Sequence, residues 1–277
     1  MSTPPRPVAA GRHLLAFDAG PLVMAILNVT PDSFSDGGLS AQADAALANA
    51  RWLAAEGAHI IDVGGESTRP GYTPVPAEDE WARIGPVLER LAAEVPLPIS
   101  VDTMKSRVAA RALAAGAVIV NDIWGFSRDP DMARVVADWD AAAVLMHNRT
   151  EIDPACDILA DMRAFFERAL ETAAAAGVAR ERLVLDPGIG FGKSFAQNLL
   201  ALRRLDVLTA FGLPVLVGAS RKSFIVKIVP SSPAERLPGT LAAHLLAVRS
   251  GAAILRVHDV AAHVQALAVS EAIGHAR

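Results

Sequence analysis

The chain has 277 residues, 52% of them apolar and 20% charged, so it can bury one large core and does not read as a disordered chain. Its formal net charge of −4 comes from short mixed groups rather than basic blocks, which argues against nonspecific nucleic acid binding. A single cysteine, Cys156, rules out an internal disulfide and fits a reducing cytosol, no stretch reaches the roughly 20 apolar residues of a transmembrane helix, and MSTPPRPVAAGRHLL has no apolar signal-peptide run.

The residues before Val23 are expected to cover the floor of the fold that follows. Eight short apolar runs then recur, and nearly every one stops on a residue that can do chemistry. VMAILN ends at Asn28 and leads into the polar loop NVTPDSFSDGG, after which Ser40 is expected to cap a helix ending near Gly57. IIDVGGES enters Glu66 to Arg69 and a second loop, GGESTRPG. Trp81, Ile84, Leu88, Leu91 and Val95 make the stripe of a helix lying on a sheet, with a kink expected at Gly85 and Pro86. ISVDT carries Asp102, and Thr103 is expected to cap a helix ending near Gly116. VIVND brings Asn121 and Asp122, and AVLMHNR brings His147. Cys156, beside Asp153, Pro154 and Asp157, reads as a loop entering a helix, with no catalytic role.

LVLDPG places Asp186 between an apolar run and a proline that cannot donate, so its carboxylate has no obvious local partner. The glycine-rich stretch from Asp186 to Ser194 is not a Walker A loop, because Pro187 stands where the first glycine of that loop is needed; the dinucleotide spacing fails too. Its glycines either let a ligand approach the backbone or build a tight turn whose Ser194 caps the next helix. VLVGASRK supplies Ser220, Arg221 and Lys222. ILRVHD then supplies Arg256 and His258 on one side of the last strand, with Asp259 expected to cap the helix containing Val260, Val264 and Leu267.

Strand and helix alternate through these eight units without a composition break, which predicts a single-domain (β/α)8 TIM barrel, with residues 1–22 as the floor segment and 23–277 as the barrel. Continuous runs such as AAAVLM are what strands buried on both faces look like. The strand ends then gather at the rim where such barrels place their active sites, and the loops after strands seven and eight are a frequent phosphate site. Arg221, Lys222, Arg256 and His258 there suggest an anionic ligand, the plainer alternative being surface arginines that neutralise acids. His147, His244 and His258 lack tight ligand spacing, so zinc is not expected, while magnesium brought in by a phosphate ligand is compatible with the sequence. The two polar loops, punctuated by proline and glycine, are expected to close on a substrate.

LNVTPDSFSDGG, IDVGGESTRPG, VDT, NDIWGF, LDPGIGFGK, GASRKSF and ILRVHDV, in that order and along almost the whole chain, resemble the dihydropteroate synthases of folate biosynthesis. The resemblance implies a cytoplasmic homodimer that needs Mg2+, is inhibited by sulfonamides, and joins 6-hydroxymethyl-7,8-dihydropterin diphosphate to 4-aminobenzoate. It implies that Asp102, Asn121, Asp186 and Lys222 bind the pterin, that Arg256 packs over its face, and that Met146 and Phe191 wall it in. It further implies Asn28, Arg69, Arg256 and His258 at the diphosphate, with Asn28 also at the metal, and Phe34, Thr68, Pro70 and Ser223 around the aminobenzoate. Asp36, Lys222 and Arg69 would take part in the chemistry: the diphosphate ionises before the amine attacks, and Asp36 lies beside the resulting cation. His147-Asn148-Arg149, Gln197 and Val226 depart from the family pattern, in the fifth and sixth loops and the seventh helix. The rival readings are a pterin-binding methyltransferase and a catalytically silent paralogue.

Overall fold

The computed structural model describes residues 4–29, 38–66 and 74–276. A short antiparallel hairpin, β1 (Val8–Ala10) and β2 (His13–Leu15), precedes eight strands. These are β3 (Leu22–Asn28), β4 (Ile60–Gly64), β5 (Ile99–Asp102), β6 (Ile119–Asp122), β7 (Ala142–Met146), β8 (Leu183–Asp186), β9 (Val215–Val217) and β10 (Ala252–Val257). They run parallel in chain order, and β10 pairs with β3 to close the barrel. The helices are α1 (Gly38–Ala55), α2 (Ala77–Glu94), α3 (Ser106–Ala114), α4 (Met132–Asp138), α5 (Ile158–Ala175), α6 (Phe195–Arg203), α7 (Asp206–Thr209), α8 (Ser223–Val226), α9 (Leu237–Arg249) and α10 (Val260–His275). No helix among the described residues is long and apolar enough to cross a membrane.

The strands are apolar on both faces because both faces are covered. Val23, Ala25, Leu27, Ile61, Val63, Val101, Val120, Leu145, Leu185 and Leu255 pack outward in one cluster with the helices. The alternate residues, Met24, Ile60, Ile119, Val144, Val184, Leu216 and Ile254, form a second cluster together with Val8, Ala10, Leu15 and Phe17 from the hairpin and the residues after it. On α2, Ile84, Leu88 and Leu91 are buried as the stripe requires. The helix runs on through Gly85 and Pro86, where the kink is expected, and a side chain at Gly85 would strike the Trp81 ring, with Cβ 2.6 Å from Cε2.

Local capping follows the expectations only in part. Ser194 caps α6 in a reciprocal capping box with Gln197, and Asp157 caps α5 by accepting from Leu159 N and Ala160 N, with Cys156 in the loop before it. Thr103 does not cap α3: Lys105 occupies the cap position, and the Thr103 hydroxyl accepts the Lys105 N–H at 3.3 Å. Asp259 stands at the cap of α10 but makes no capping bond, because Arg221 takes its carboxylate. Helix α1 begins at Gly38, which puts Ser40 inside its first turn.

Candidate active site

Strand alternation builds the site. If Met24, Ile60, Ile119, Val144, Val184 and Ile254 face the barrel axis, the residues two and four positions further along do so as well. Those positions are Asn28, Asp62 and Gly64, Asn121, Met146, Asp186, and Arg256 with His258, to which β5 adds Ser100 and Asp102. Ladder register sets Asn28 beside Gly64, Gly64 beside Asp102, and Asp102 beside Asn121. The apolar interior therefore ends in a polar layer at the C-terminal mouth of the barrel.

Arg256 organises one half of that layer. It donates through Nε to Asp62 Oδ2 (2.6 Å) and through Nη2 to Asp102 Oδ2 (2.6 Å), and Asn121 Nδ2 donates to the same Asp62 oxygen (3.1 Å). Burial pushes the Asp102 carboxyl up from its ordinary range, the Arg256 cation pulls it back, and the Asp62 carboxylate adds to the upward push. The Arg256 guanidinium is held firmly charged: burial opposes its charge, and the Asp62 and Asp102 carboxylates outweigh it. Asp102 Oδ1 and Asn121 Oδ1 are buried acceptors with no hydrogen-bond partner among the described residues. Such atoms mark a place where a ligand bearing N–H donors gains more than it would in water.

Asp186 and Lys222 form the other half. Asp186 Oδ1 accepts the Gly188 N–H at 2.7 Å, so the carboxylate does have a local partner, from the residue just beyond the proline. Burial raises its pKa, against the pull of the Lys222 ammonium and the Gly188 N–H. Lys222 is pushed down to about 8 by burial, against the upward pull of Asp186. Its ammonium donates to Ile189 O and lies 4.5 Å from the centroid of the Phe191 ring. Met146 packs with Met104 and Ile123, and Trp124 and Phe191 lie against this cluster, making an apolar wall beside the polar groups. On β6 the alternation separates Asn121 from Asp122, whose carboxylate accepts the N–H groups of Trp124 and Phe126 and braces the turn.

The glycines of this loop admit the protein itself. Gly188, with φ +65°, lies so close to strand β7 that a Cβ would sit 1.9 Å from His147 O; at Gly192, with φ +55°, it would meet Arg149 O at 2.5 Å. Gly188→Ala is therefore expected to lower stability by more than about 1 kcal/mol and to displace Asp186, with a loss of any ligand affinity at the barrel mouth. A melting temperature equal to that of the parent would contradict this packing.

At the ends of β9 and β10, Ser220 Oγ and His258 Nδ1 are 2.9 Å apart, and Arg256 lies one layer below. Arg221 does not join them. Its guanidinium pairs with Asp259, donating through Nε at 3.0 Å, so the neutralising alternative holds for this residue. Beneath them a buried histidine pair ties β9 to α10. His244 Nε2 accepts the Ala219 N–H (3.0 Å), so its proton sits on Nδ1 and goes to His263 Nε2 (2.8 Å), and His263 Nδ1 donates to Asp259 O (2.6 Å). Burial pushes His244 down to about 3. Because that lies below the ordinary 6.5, the stabilisation from neutral His244 is complete above pH 6.5 and is lost as pH falls toward 3. Between pH 6.5 and about pH 5, urea titrations should show the parent losing about 2 kcal/mol more unfolding free energy than His244→Gln. Equal losses would count against a neutral pair.

Ser223 opens α8 and is exposed, and Asn28 is exposed at the mouth. Phe34, Asp36, Thr68, Arg69 and Pro70 lie outside the described residues. Near the root of the second loop, Glu66 is buried and shares the Lys105 ammonium with Glu80, while its Oε1 accepts the Val75 N–H at 3.1 Å. Asp62 and Lys193 are site residues that sequence reasoning does not single out. The available signal for Asp62 is an acid in mid-strand, two residues before a strand end. For a cation, the fitting donor is Asn28: its Oδ1 and the Asp102 carboxylate both lie within 4 Å of where a Gly64 Cβ would sit. Asp102 Oδ2 is taken by the Arg256 guanidinium at 2.6 Å, so the hard oxygen that suits a magnesium ion at the open strand end is that of the exposed Asn28.

The family model described as "Pterin binding enzyme" matches residues 24–258. The dihydropteroate synthase of Bacillus subtilis (strain 168) is 48% identical over 246 residues, 89% of this chain and 86% of that one. Among solved structures, the Xanthomonas albilineans dihydropteroate synthase with 4-aminobenzoic acid has a TM-score of 0.93 at 45% identity, covering 99% of this chain and 100% of that one. The same organism's enzyme in complex with 7,8-dihydropteroate has a TM-score of 0.89 at 44% identity, covering 98% and 100%.

Proposed function

The chain belongs to the pterin-binding enzymes, among their dihydropteroate synthases, and from that membership we propose that it condenses 6-hydroxymethyl-7,8-dihydropterin diphosphate with 4-aminobenzoate, releasing diphosphate and forming 7,8-dihydropteroate. The observation that carries this reading is the pair of buried acceptors without a partner among the described residues, Asp102 Oδ1 and Asn121 Oδ1, on the same rim as Asp186 and Lys222. A dihydropterin edge offers adjacent N–H donors, and a buried carboxylate accepts two of them at once. In this reading Asp102, Asn121 and Asp186 hold the ring, Lys222 reaches its carbonyl and N5 side, Arg256 covers one face, and Met146 and Phe191 exclude water from the rest.

The leaving diphosphate then belongs with Asn28, Arg69, Arg256 and His258, where positive charge stabilises the negative charge that grows as the C–O bond breaks. Mg2+, held through Asn28, would add charge neutralisation at that leaving group. Asp36 stands by the pterin methylene cation. The amine of aminobenzoate forms the C–N bond and loses a proton, set between Phe34 and Pro70 and near Thr68 and Ser223; sulfonamides would occupy that place by imitation. No covalent protein nucleophile is needed. Residues 1–22 act as the cover of the barrel floor and 23–277 as the pterin-binding domain, a division supported by the apolar cluster that the hairpin shares with the barrel interior.

We place the enzyme in the cytoplasm as a homodimer. Helices α9 and α10 pack side by side yet leave Leu246, Val269 and Ile273 more than half exposed, as a surface for a second copy would. Sedimentation is expected to give about twice the 29.0 kDa chain mass. A monomer at micromolar concentration would contradict the dimer. The activity itself is tested by diphosphate release with folded enzyme and Mg2+: release should require both the pterin diphosphate and aminobenzoate. A silent paralogue would bind pterin without release, and a methyltransferase would turn over neither substrate.

A further inference from the structure

Lys193 is the one fully buried ammonium near the site, among the described residues, to which the reaction assigns no role. It is 4% exposed, and it donates to three backbone carbonyls: His147 O (3.2 Å), Gly188 O (2.9 Å) and Phe191 O (3.1 Å). Two of those carbonyls belong to the turn after β8, and the third to the residue just after β7. The same His147 donates its N–H to Asp186 O at 2.9 Å. His147 is therefore gripped from both sides, and its carbonyl lies so close to Gly188 that no Cβ fits between them.

We propose that Lys193 is a positioning residue for the pterin edge: its ammonium locks the turn of residues 188–192 to the end of β7, and so sets Asp186, Ile189 O and the Phe191 ring relative to Lys222. The turn needs such a lock. Gly188, Gly190 and Gly192 all take positive φ, so the backbone here has little rigidity of its own beyond the turn bond from the Phe191 N–H to Gly188 O at 3.1 Å. An ammonium has three donors and no acceptor, which suits three convergent carbonyls. Charge is balanced by the Asp186 carboxylate, whose attraction opposes the downward push of burial on Lys193. On the other side of the turn, Asn198 accepts the Gly190 N–H at 2.6 Å and donates to Lys193 O at 3.1 Å, so the side chain of Lys193 and the root of α6 grip the same five residues. The turn His147-Asn148-Arg149 supplies His147 O to the clamp and lays Arg149 against Gly192. The proposal rests on the reading of Asp186 as a pterin ligand.

Lys193→Met keeps the length of the side chain and removes the ammonium. In the folded full-length chain, the KM for the pterin diphosphate is expected to rise about tenfold or more, with the KM for aminobenzoate within about twofold of the parent. Amides of residues 188–192 should also exchange with deuterium about tenfold faster. Lys193→Arg, which keeps a cation in reach of the carbonyls, should show the same changes in the same direction and smaller size, and it carries the test if the Met variant does not fold. Unchanged exchange in these amides would overturn the clamp, as would an equal loss on both substrates. Faster exchange in a chain whose parent shows no pterin binding would sink the ligand reading of Asp186 and leave the clamp standing.

Discussion

Asp186→Asn is expected to raise the dissociation constant of the pterin diphosphate about 30-fold or more, which is about 2 kcal/mol, the scale for a charged hydrogen bond lost at a buried site. The substitution conserves shape, so packing is not at issue. In the parent one carboxylate oxygen accepts the Gly188 N–H at 2.7 Å. An asparagine keeps that bond by turning its oxygen to Gly188, and its NH2 then faces the N–H groups of the pterin edge, donor against donor. The Lys222 ammonium loses the carboxylate that helps keep it charged in a buried place, which compounds the effect. Calorimetric titration of the variant reads the change directly, and unchanged affinity would remove Asp186 from the pterin site.

Arg256→Met should cost more, because it damages both the fold and the site. Asp62 is wholly buried and Asp102 nearly so, and both depend on this guanidinium at 2.6 Å. Removing one partner of such a buried cluster leaves uncompensated charge, a loss on the order of 3–5 kcal/mol. Urea denaturation measures it, and a loss below about 1 kcal/mol would show that the carboxylates are neutral or hydrated in the parent. Adding Asp62→Asn should restore part of the stability by removing one of the stranded charges. Turnover should stay lost, since the cation proposed for the diphosphate and the pterin face is still missing. Recovery of both together would reduce Arg256 to a structural counter-ion.

The barrel is legible in the sequence because each strand is an apolar run bounded by polar loops, and the runs alternate with helical stripes such as Ile84, Leu88 and Leu91. Asp102, Asn121 and Asp186 are legible for a related reason. Each is a polar residue at the mouth end of a strand, on the same alternation as the interior residues Ile119 and Val184 or their neighbours in register. What stays hidden depends on partners far away in sequence. Asp62 looks like an oddity in IIDVGG until Arg256 arrives across the barrel mouth, 194 residues later. Arg221 looks like an anion binder beside Lys222 until Asp259, 38 residues on, takes it. Lys193 sits in a glycine run that invites a phosphate reading, while one of its partners is a backbone carbonyl 46 residues earlier, which no side-chain pattern announces. Capping departs from expectation at Asp259, whose carboxylate Arg221 takes, and at Thr103, because α3 begins only at Ser106 with Lys105 at the cap position.

The central claim is that the polar mouth of the barrel receives the edge of a pterin, and a crystal structure of this chain with 7,8-dihydropteroate tests it most directly. The account predicts the bicyclic ring against Met146 and Phe191, with N–H donors on Asp186 and on the oxygens Asp102 Oδ1 and Asn121 Oδ1 that lack partners among the described residues. A ring bound elsewhere, with those two oxygens still unpartnered, would contradict it.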